Sequence, residues 1–243
     1  MAGKFQTALR LVYPPRCLSC GGLVEREFGL CATCWRDTAF IGGLVCDLCG
    51  VPLPGEALPH EVVHCDDCMR IARPWVRGRS AMLYRQTGRR LVLALKHGDR
   101  QDIAQPAASW MARVATPILL PDMLIAPVPL HWTRMLRRRY NQSALLSAAV
   151  AKQTGLAHCP DLLTRQRRTA SLHGAGRDER FSTLDSAITV TSGRRHRLVA
   201  RNILIVDDVM TSGATLAACA EACLAAGAAQ VFVLILARVA KDA

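Results

Sequence analysis

Ile203-Leu204-Ile205-Val206-Asp207-Asp208-Val209-Met210-Thr211-Ser212-Gly213-Ala214-Thr215 is the stretch whose reading decides the fold. Its four leading apolar residues predict a short buried strand. Two acids stand at the carboxyl end of that strand, where open α/β sheets bind their ligands. A Thr/Ser/Gly loop follows and opens a predicted helix over 213–226, ended by Gly227. Backbone N–H groups at a helix N-terminus make an anion site. Thr211, Ser212 and Thr215 add hydroxyl donors, and Gly213 allows close backbone approach. Acids beside a phosphate cradle repel phosphate, so they suit sugar hydroxyls, a Mg2+ ion, or both. An ordinary strand–turn–helix accounts for the Gly and Ser, but not for two adjacent acids with three hydroxyls.

Outward from this stretch the same alternation continues. Residues 231–236 read as a second buried strand, and 79–84 and 124–129 as two more, the last ended by prolines. Helices are predicted over 86–96, over 103–115 with Pro106 in its first turn, and over 141–153 with Gly155 as the stop. Residues 186–190 can form a strand, while 166–180 are basic, polar and without period. Strands alternating with helices imply an α/β domain with a mostly parallel sheet flanked by helices.

The chain has 243 residues, 51% of them hydrophobic and 21% charged, with a formal charge of +12. This excludes an intrinsically disordered chain. No apolar run approaches the ~20 residues that span a bilayer, and the N-terminus lacks a signal-peptide core. The expectation is therefore a cytoplasmic protein with no membrane insertion. The basic charge points to an anionic partner, either a phosphorylated small molecule or nucleic acid.

In a reducing compartment cysteines more often bind metal than form disulfides. Eight of the 11 cysteines form four Cys-x-x-Cys pairs: Cys17/Cys20, Cys31/Cys34, Cys46/Cys49 and Cys65/Cys68. Each pair is a knuckle that aims two sulfurs at one point, and two knuckles complete a tetrahedral thiolate site for structural Zn2+. Eight ligands make two zinc sites. Adjacent and interleaved pairing both satisfy the spacing. A closed four-thiolate site has no open position for catalysis. His60 and His64, near the last pair, read as loop residues. Cys159, Cys219 and Cys223 read as small buried hydrophobes. A cysteine-rich segment this short needs such staples. The expected domains are 1–72 for the zinc module and 73–243 for the α/β unit, with the boundary near Arg73 and Pro74.

The 203–215 stretch resembles the 5-phosphoribosyl-1-pyrophosphate (PRPP) motif of type I phosphoribosyltransferases. Further segments are similar to the ComF (competence, or GntX-like) group within that fold. These are Ala126-Pro127-Val128-Pro129-Leu130-His131, Arg134, Arg138, Tyr140-Asn141-Gln142 and Leu95-Lys96-His97-Gly98-Asp99. The paired cysteines match that group's N-terminal double zinc ribbon. The resemblance covers nearly the whole chain. It implies that Asp207 and Asp208 are catalytic and take the ribose hydroxyls, and that Thr211, Ser212, Gly213, Ala214 and Thr215 hold the 5′-phosphate. It implies Mg2+ with PRPP, and a pyrophosphate site among His131, Arg134, Arg138 and Arg139, the last two opening the next helix.

In the family a flexible loop closes over the substrate. Here that loop has Leu172 at a usual Gln and Thr183 at a usual Asn, although Arg167, Arg168, Arg177 and Arg180, with Arg165 just before, keep it cationic. Three functions stay open. The first is transfer of phosphoribose to an unknown acceptor with release of pyrophosphate. The second is PRPP or nucleotide binding without transfer. The third is a DNA-uptake accessory that meets single-stranded DNA or the competence machinery. The zinc module offers few aromatics for base stacking, namely Phe28, Trp35 and Phe40.

Overall fold

The structure, a computed structural model, describes residues 13–56, 61–131, 135, 139–166 and 187–240. The sheet is centred on apolar runs that are covered on both faces. Its strands are β1 (Arg77–Leu83), β2 (Leu124–Pro127), β3 (Ala157–His158), β6 (Asn202–Met210) and β7 (Gln230–Arg238), in the order β1-β7-β6-β2-β3. Every neighbouring pair is parallel. Two short strands, β4 (Leu163–Arg165) and β5 (Ile188–Val190), pair antiparallel as a separate hairpin.

The side-chain period of two decides which core each strand residue enters. Leu204, Val206, Leu234 and Leu236 enter one core, with residues of α3 (Gln86–His97), α4 (Ala104–Ala115) and α5 (Gln142–Thr154). Ile203, Ile205, Val233 and Ile235 enter the other, with residues of α6 (Ala214–Ala225) and the hairpin. A parallel sheet buried on both faces reads as an unbroken apolar run, which is why β6 and β7 are legible in the sequence.

The cysteine segment carries two short helices, α1 (Ala32–Arg36) and α2 (Asp66–Arg70). Its two halves serve opposite cores. Leu18 of the first packs with α3–α5, and Cys46, Cys49 and Cys68 of the second pack with α6. Between them, Ala39 and Ile41 exchange backbone hydrogen bonds with β1, covering its edge: Leu83 N to Ala39 O at 2.8 Å and Ile41 N to Ala81 O at 3.0 Å. Phe40 bridges Trp35 and Trp110, with ring centroids 4.6 and 5.2 Å away.

The chain leaves β2 towards β3 on one side and leaves β6 towards β7 on the other. The crevice between the carboxyl ends of β2 and β6 is therefore the switch point of the sheet, where ligands bind in open α/β folds. Asn141 sets the start of α5 beside it, its Oδ1 accepting from Ser143 N at 3.0 Å and its Nδ2 donating to Val128 O at 3.0 Å. Asn141→Ala removes that cap. The expected cost is about 1 kcal/mol, measured as a lower urea midpoint at unchanged slope. Among the described residues no helix is long and apolar enough to cross a membrane.

Candidate active site and metal centres

β6 runs further than its apolar run suggests. It continues through Asp207 and Asp208 to Met210 and pairs with β7 as far as Arg238. The acids therefore sit on a central strand at the switch point rather than in a loose turn. Asp207 Oδ1 accepts from Ser143 Oγ at 2.8 Å and from Asp208 N at 2.9 Å. Lys96 Nζ, in the last turn of α3, lies 2.9 Å from Asp208 Oδ1. Tyr140 Oη donates to Leu95 O at 2.7 Å, tying the end of α3 to the segment that enters α5. Lys96 lies in a segment the sequence singles out. Ser143 carries no signal of its own, because its role depends on a contact 64 residues away.

Next comes the loop. Gly213 precedes α6 with φ +85, a conformation that L side chains rarely adopt. Gly213 at the N-cap has no side chain to cap this helix; Ala214 N donates to Ser212 Oγ at 3.4 Å, and the N–H groups that follow in the first turn keep the donor character of an anion site. Ser212 and Thr215 are half-buried and Thr211 is exposed at the rim. His131 is buried just beyond β2. The resemblance places Arg139 at the start of a helix, but the structure does not: α5 begins at Gln142, after its Asn141 cap. Arg139 has φ +64 and pairs loosely with Asp99 at 3.6 Å, both exposed. Arg134 and Arg138 lie outside the described residues, as does the cationic loop from Arg167 to Thr183 and beyond.

Burial pushes the Asp207 carboxyl up to about 7, and the neighbouring Asp208 carboxylate adds to the rise. Lys96, the Ser143 hydroxyl and the Asp208 N–H act the other way. The native state thus holds a proton that the unfolded chain releases from about pH 4 upwards. Stability from this group is present at low pH and is lost as pH rises through about 7. Between about pH 6 and pH 8 the unliganded wild type is expected to lose more melting temperature than Asp207→Asn. Parallel changes in the two proteins would contradict this.

The cysteines resolve into adjacent pairs. Cys17, Cys20, Cys31 and Cys34 form one group and Cys46, Cys49, Cys65 and Cys68 the other, each with its sulfurs within 4.8 Å of one another. A tetrahedron with Zn–S of ~2.3 Å has edges of about 3.8 Å. The Cys20–Cys31 and Cys49–Cys65 sulfurs are 3.8 and 3.7 Å apart. The donor set and spacing fit structural zinc. Four thiols so close cannot all ionise without a cation. Cys46 is held far below the thiol range while Cys68 is forced far above it. His64 is exposed and belongs to neither group, and His60 lies outside the described residues. Cys159, Cys219 and Cys223 are fully buried, and burial pushes the Cys223 thiol up to about 12.

Comparison with known proteins agrees with this arrangement. The Double zinc ribbon domain family matches residues 8–69. The DNA utilization protein YhgH of Salmonella typhimurium is 34% identical over 235 residues, covering 94% of this chain and 99% of that protein. This chain belongs to the YhgH/ComF family. YhgH of Escherichia coli K12 is 31% identical over the same length, and Competence protein F of Haemophilus influenzae is 26% identical over 208 residues. That competence protein is covered to 87% of its length, and this YhgH/ComF chain to 83%. Among solved structures, the allosteric regulatory enzyme of purine biosynthesis matches 59% of this chain and 30% of its own, at 15% identity and a TM-score of 0.40. A likeness that weak carries no argument, and the fold of this YhgH/ComF chain rests on the strand order given above.

Proposed function

We propose that this chain binds PRPP with Mg2+ at the β2/β6 crevice and transfers its phosphoribosyl group to an acceptor. The observation that carries the reading is the pairing of two adjacent carboxylates with a helix N-terminus at the switch point. Asp207 and Asp208 accept from the ribose hydroxyls. Residues 211–215 bind the 5′-phosphate through N–H and hydroxyl groups. The carboxylate pair supplies hard oxygen donors, which suit Mg2+. Mg2+ held there with PRPP would supply positive charge to the departing pyrophosphate.

In the reaction the bond from ribose C1 to pyrophosphate breaks, the leaving group takes the electron pair, and a new bond forms from C1 to the acceptor. The chain's work is positioning and electrostatic stabilisation. Lys96 holds Asp208 and Ser143 holds Asp207, so both carboxylates are oriented before the sugar arrives. His131 stands at the end of β2, on the pyrophosphate side.

The relatives named for DNA utilization and competence support a second, compatible reading, in which the protein serves DNA uptake or use. Nucleic acid then binds through the basic surface, with affinity that falls steeply with salt. Phosphorus NMR of PRPP and Mg2+ with the protein and candidate acceptors tests the transfer. Those acceptors are nucleobases, nucleosides and single-stranded DNA. Enzyme-dependent pyrophosphate that appears only with one acceptor class is the expected result. Saturable PRPP binding with no pyrophosphate from any acceptor would replace the transferase reading with a binding protein.

A further inference from the structure

The two four-cysteine centres are not equivalent with respect to the phosphate loop. The first packs through Leu18 into the core on the α3–α5 side. The second shares its core with Trp75, Met210, Leu216 and Ala217, the residues beneath the loop and the first turn of α6.

The second centre meets β1 through backbone. A Cβ on Gly50 would lie 2.4 Å from Ser80 N, and one on Gly78 would lie 2.3 Å from Leu48 O. Asp47 carries an ion pair with Arg79 at 2.8 Å, and Cys49 O accepts from Ser80 Oγ at 3.0 Å. Leu48 O accepts from Trp75 Nε1 at 2.7 Å. The Trp75 ring then touches the loop, because a Cβ on Gly213 would lie 3.3 Å from its Cη2. Arg73 stacks on Trp75 at 5.4 Å and donates from Nη1 to Ser212 O at 2.7 Å.

β7 holds the same loop. Arg238, only 3% exposed, donates to Met210 O at 3.2 Å and to Thr211 O at 2.7 Å. Neither Arg73 nor Arg238 has a carboxylate partner among the described residues, and the Nε of each is buried with no hydrogen-bond partner. Buried cations need counter-charge. A phosphate bound at residues 211–215 would supply it.

We propose that the second centre, Cys46/Cys49/Cys65/Cys68, positions the phosphate loop for its ligand through Trp75 and Arg73, and that the first centre does not. Arg73 and Arg238 are positioning residues in this scheme. They hold the loop by its carbonyl oxygens. The proposal concerns the control of the site and rests on reading residues 211–215 as the PRPP phosphate loop.

The test uses the full, zinc-loaded chain. Cys65→Ser/Cys68→Ser is compared with Cys17→Ser/Cys20→Ser by hydrogen exchange across residues 211–217 and by calorimetry with Mg2+ and PRPP. Losing the second centre is expected to speed loop exchange at least about tenfold and to weaken PRPP about tenfold or more, while losing the first changes either by less than about twofold. Arg73→Met, which keeps both centres, is expected to reproduce the loop effect, and Arg73→Lys to recover most of it. If the second-centre variant fails to fold, the Arg73 pair decides alone. Equal responses to loss of either centre, or Arg73→Met exchange matching wild type, would overturn the proposal. A wild type that binds no PRPP contradicts the proposed function, while the exchange comparison still decides this inference.

Discussion

Gly78→Ala lowers the melting temperature of the zinc-loaded protein by roughly 6–12 °C, the shift expected for about 3 kcal/mol in a chain of this size. Gly78 lies on β1 under the second zinc knuckle. A Cβ there would approach Leu48 O to 2.3 Å and Val233 Cγ2 to 2.6 Å. One of these neighbours is backbone, held in a knuckle that zinc closes, and the other is a core side chain, so neither can move aside cheaply. Either β1 parts from the knuckle or the strand shifts against β7, its parallel neighbour. The first outcome breaks the hydrogen bond from Gly78 N to Asp47 O, 2.7 Å long, together with the Trp75–Leu48 bond. Gly21, whose φ is +75 but whose Cβ direction is open, serves as the control. Gly21→Ala bears backbone strain alone, of order 1 kcal/mol. A Gly78→Ala melting temperature within about 2 °C of wild type would show that the knuckle is not seated on β1.

Stripping the metal has the larger effect. Structural zinc in small zinc-finger domains is worth about 10–16 kcal/mol, as much as the 5–15 kcal/mol that stabilises a whole domain. The purified chain is expected to carry one zinc in each of its two four-cysteine groups. A strong chelator then removes two zincs per chain and exposes the cysteine segment to protease. Because Cys46, Cys49 and Cys68 are part of the core that covers one face of the sheet, the loss spreads to the α/β unit. The melting transition moves down or splits in two. Zinc added back under reducing conditions restores it. A chelated protein with unchanged melting and protease resistance would contradict the assignment of zinc as the structural ion.

The parts legible in the sequence are those with a local pattern. The runs at 203–206 and 231–236 announce the two central strands, because strands covered on both faces need no alternation. Four Cys-x-x-Cys pairs announce the two centres, although spacing alone leaves their partnership open. Asn141 and Gly155 bracket α5 as capping chemistry requires, with Gly155 in the left-handed region at φ +72. What escapes the sequence is long-range. The contacts Ser143–Asp207 and Lys96–Asp208 join segments that meet only when the sheet closes. The seating of the knuckle residues on β1 gives Gly50 and Gly78 no signal beyond ordinary glycine. β3 and β4, at two and three residues, are too short to show a period. The arginine run before α5 reads as the start of a helix, but Asn141 sets the cap after it, and Arg139 is left exposed in the left-handed region.

The central claim is that Asp207, Asp208 and the loop behind them bind a phosphoribosyl ligand. Calorimetric titration of PRPP with Mg2+ into wild type and into Asp207→Asn/Asp208→Asn tests it most directly. The account predicts saturable binding to wild type. It also predicts a loss of at least about a hundredfold in the double variant, since both carboxyl groups proposed to hold the ribose are changed together. No heat of binding at millimolar PRPP, or equal affinity in the two proteins, would contradict it.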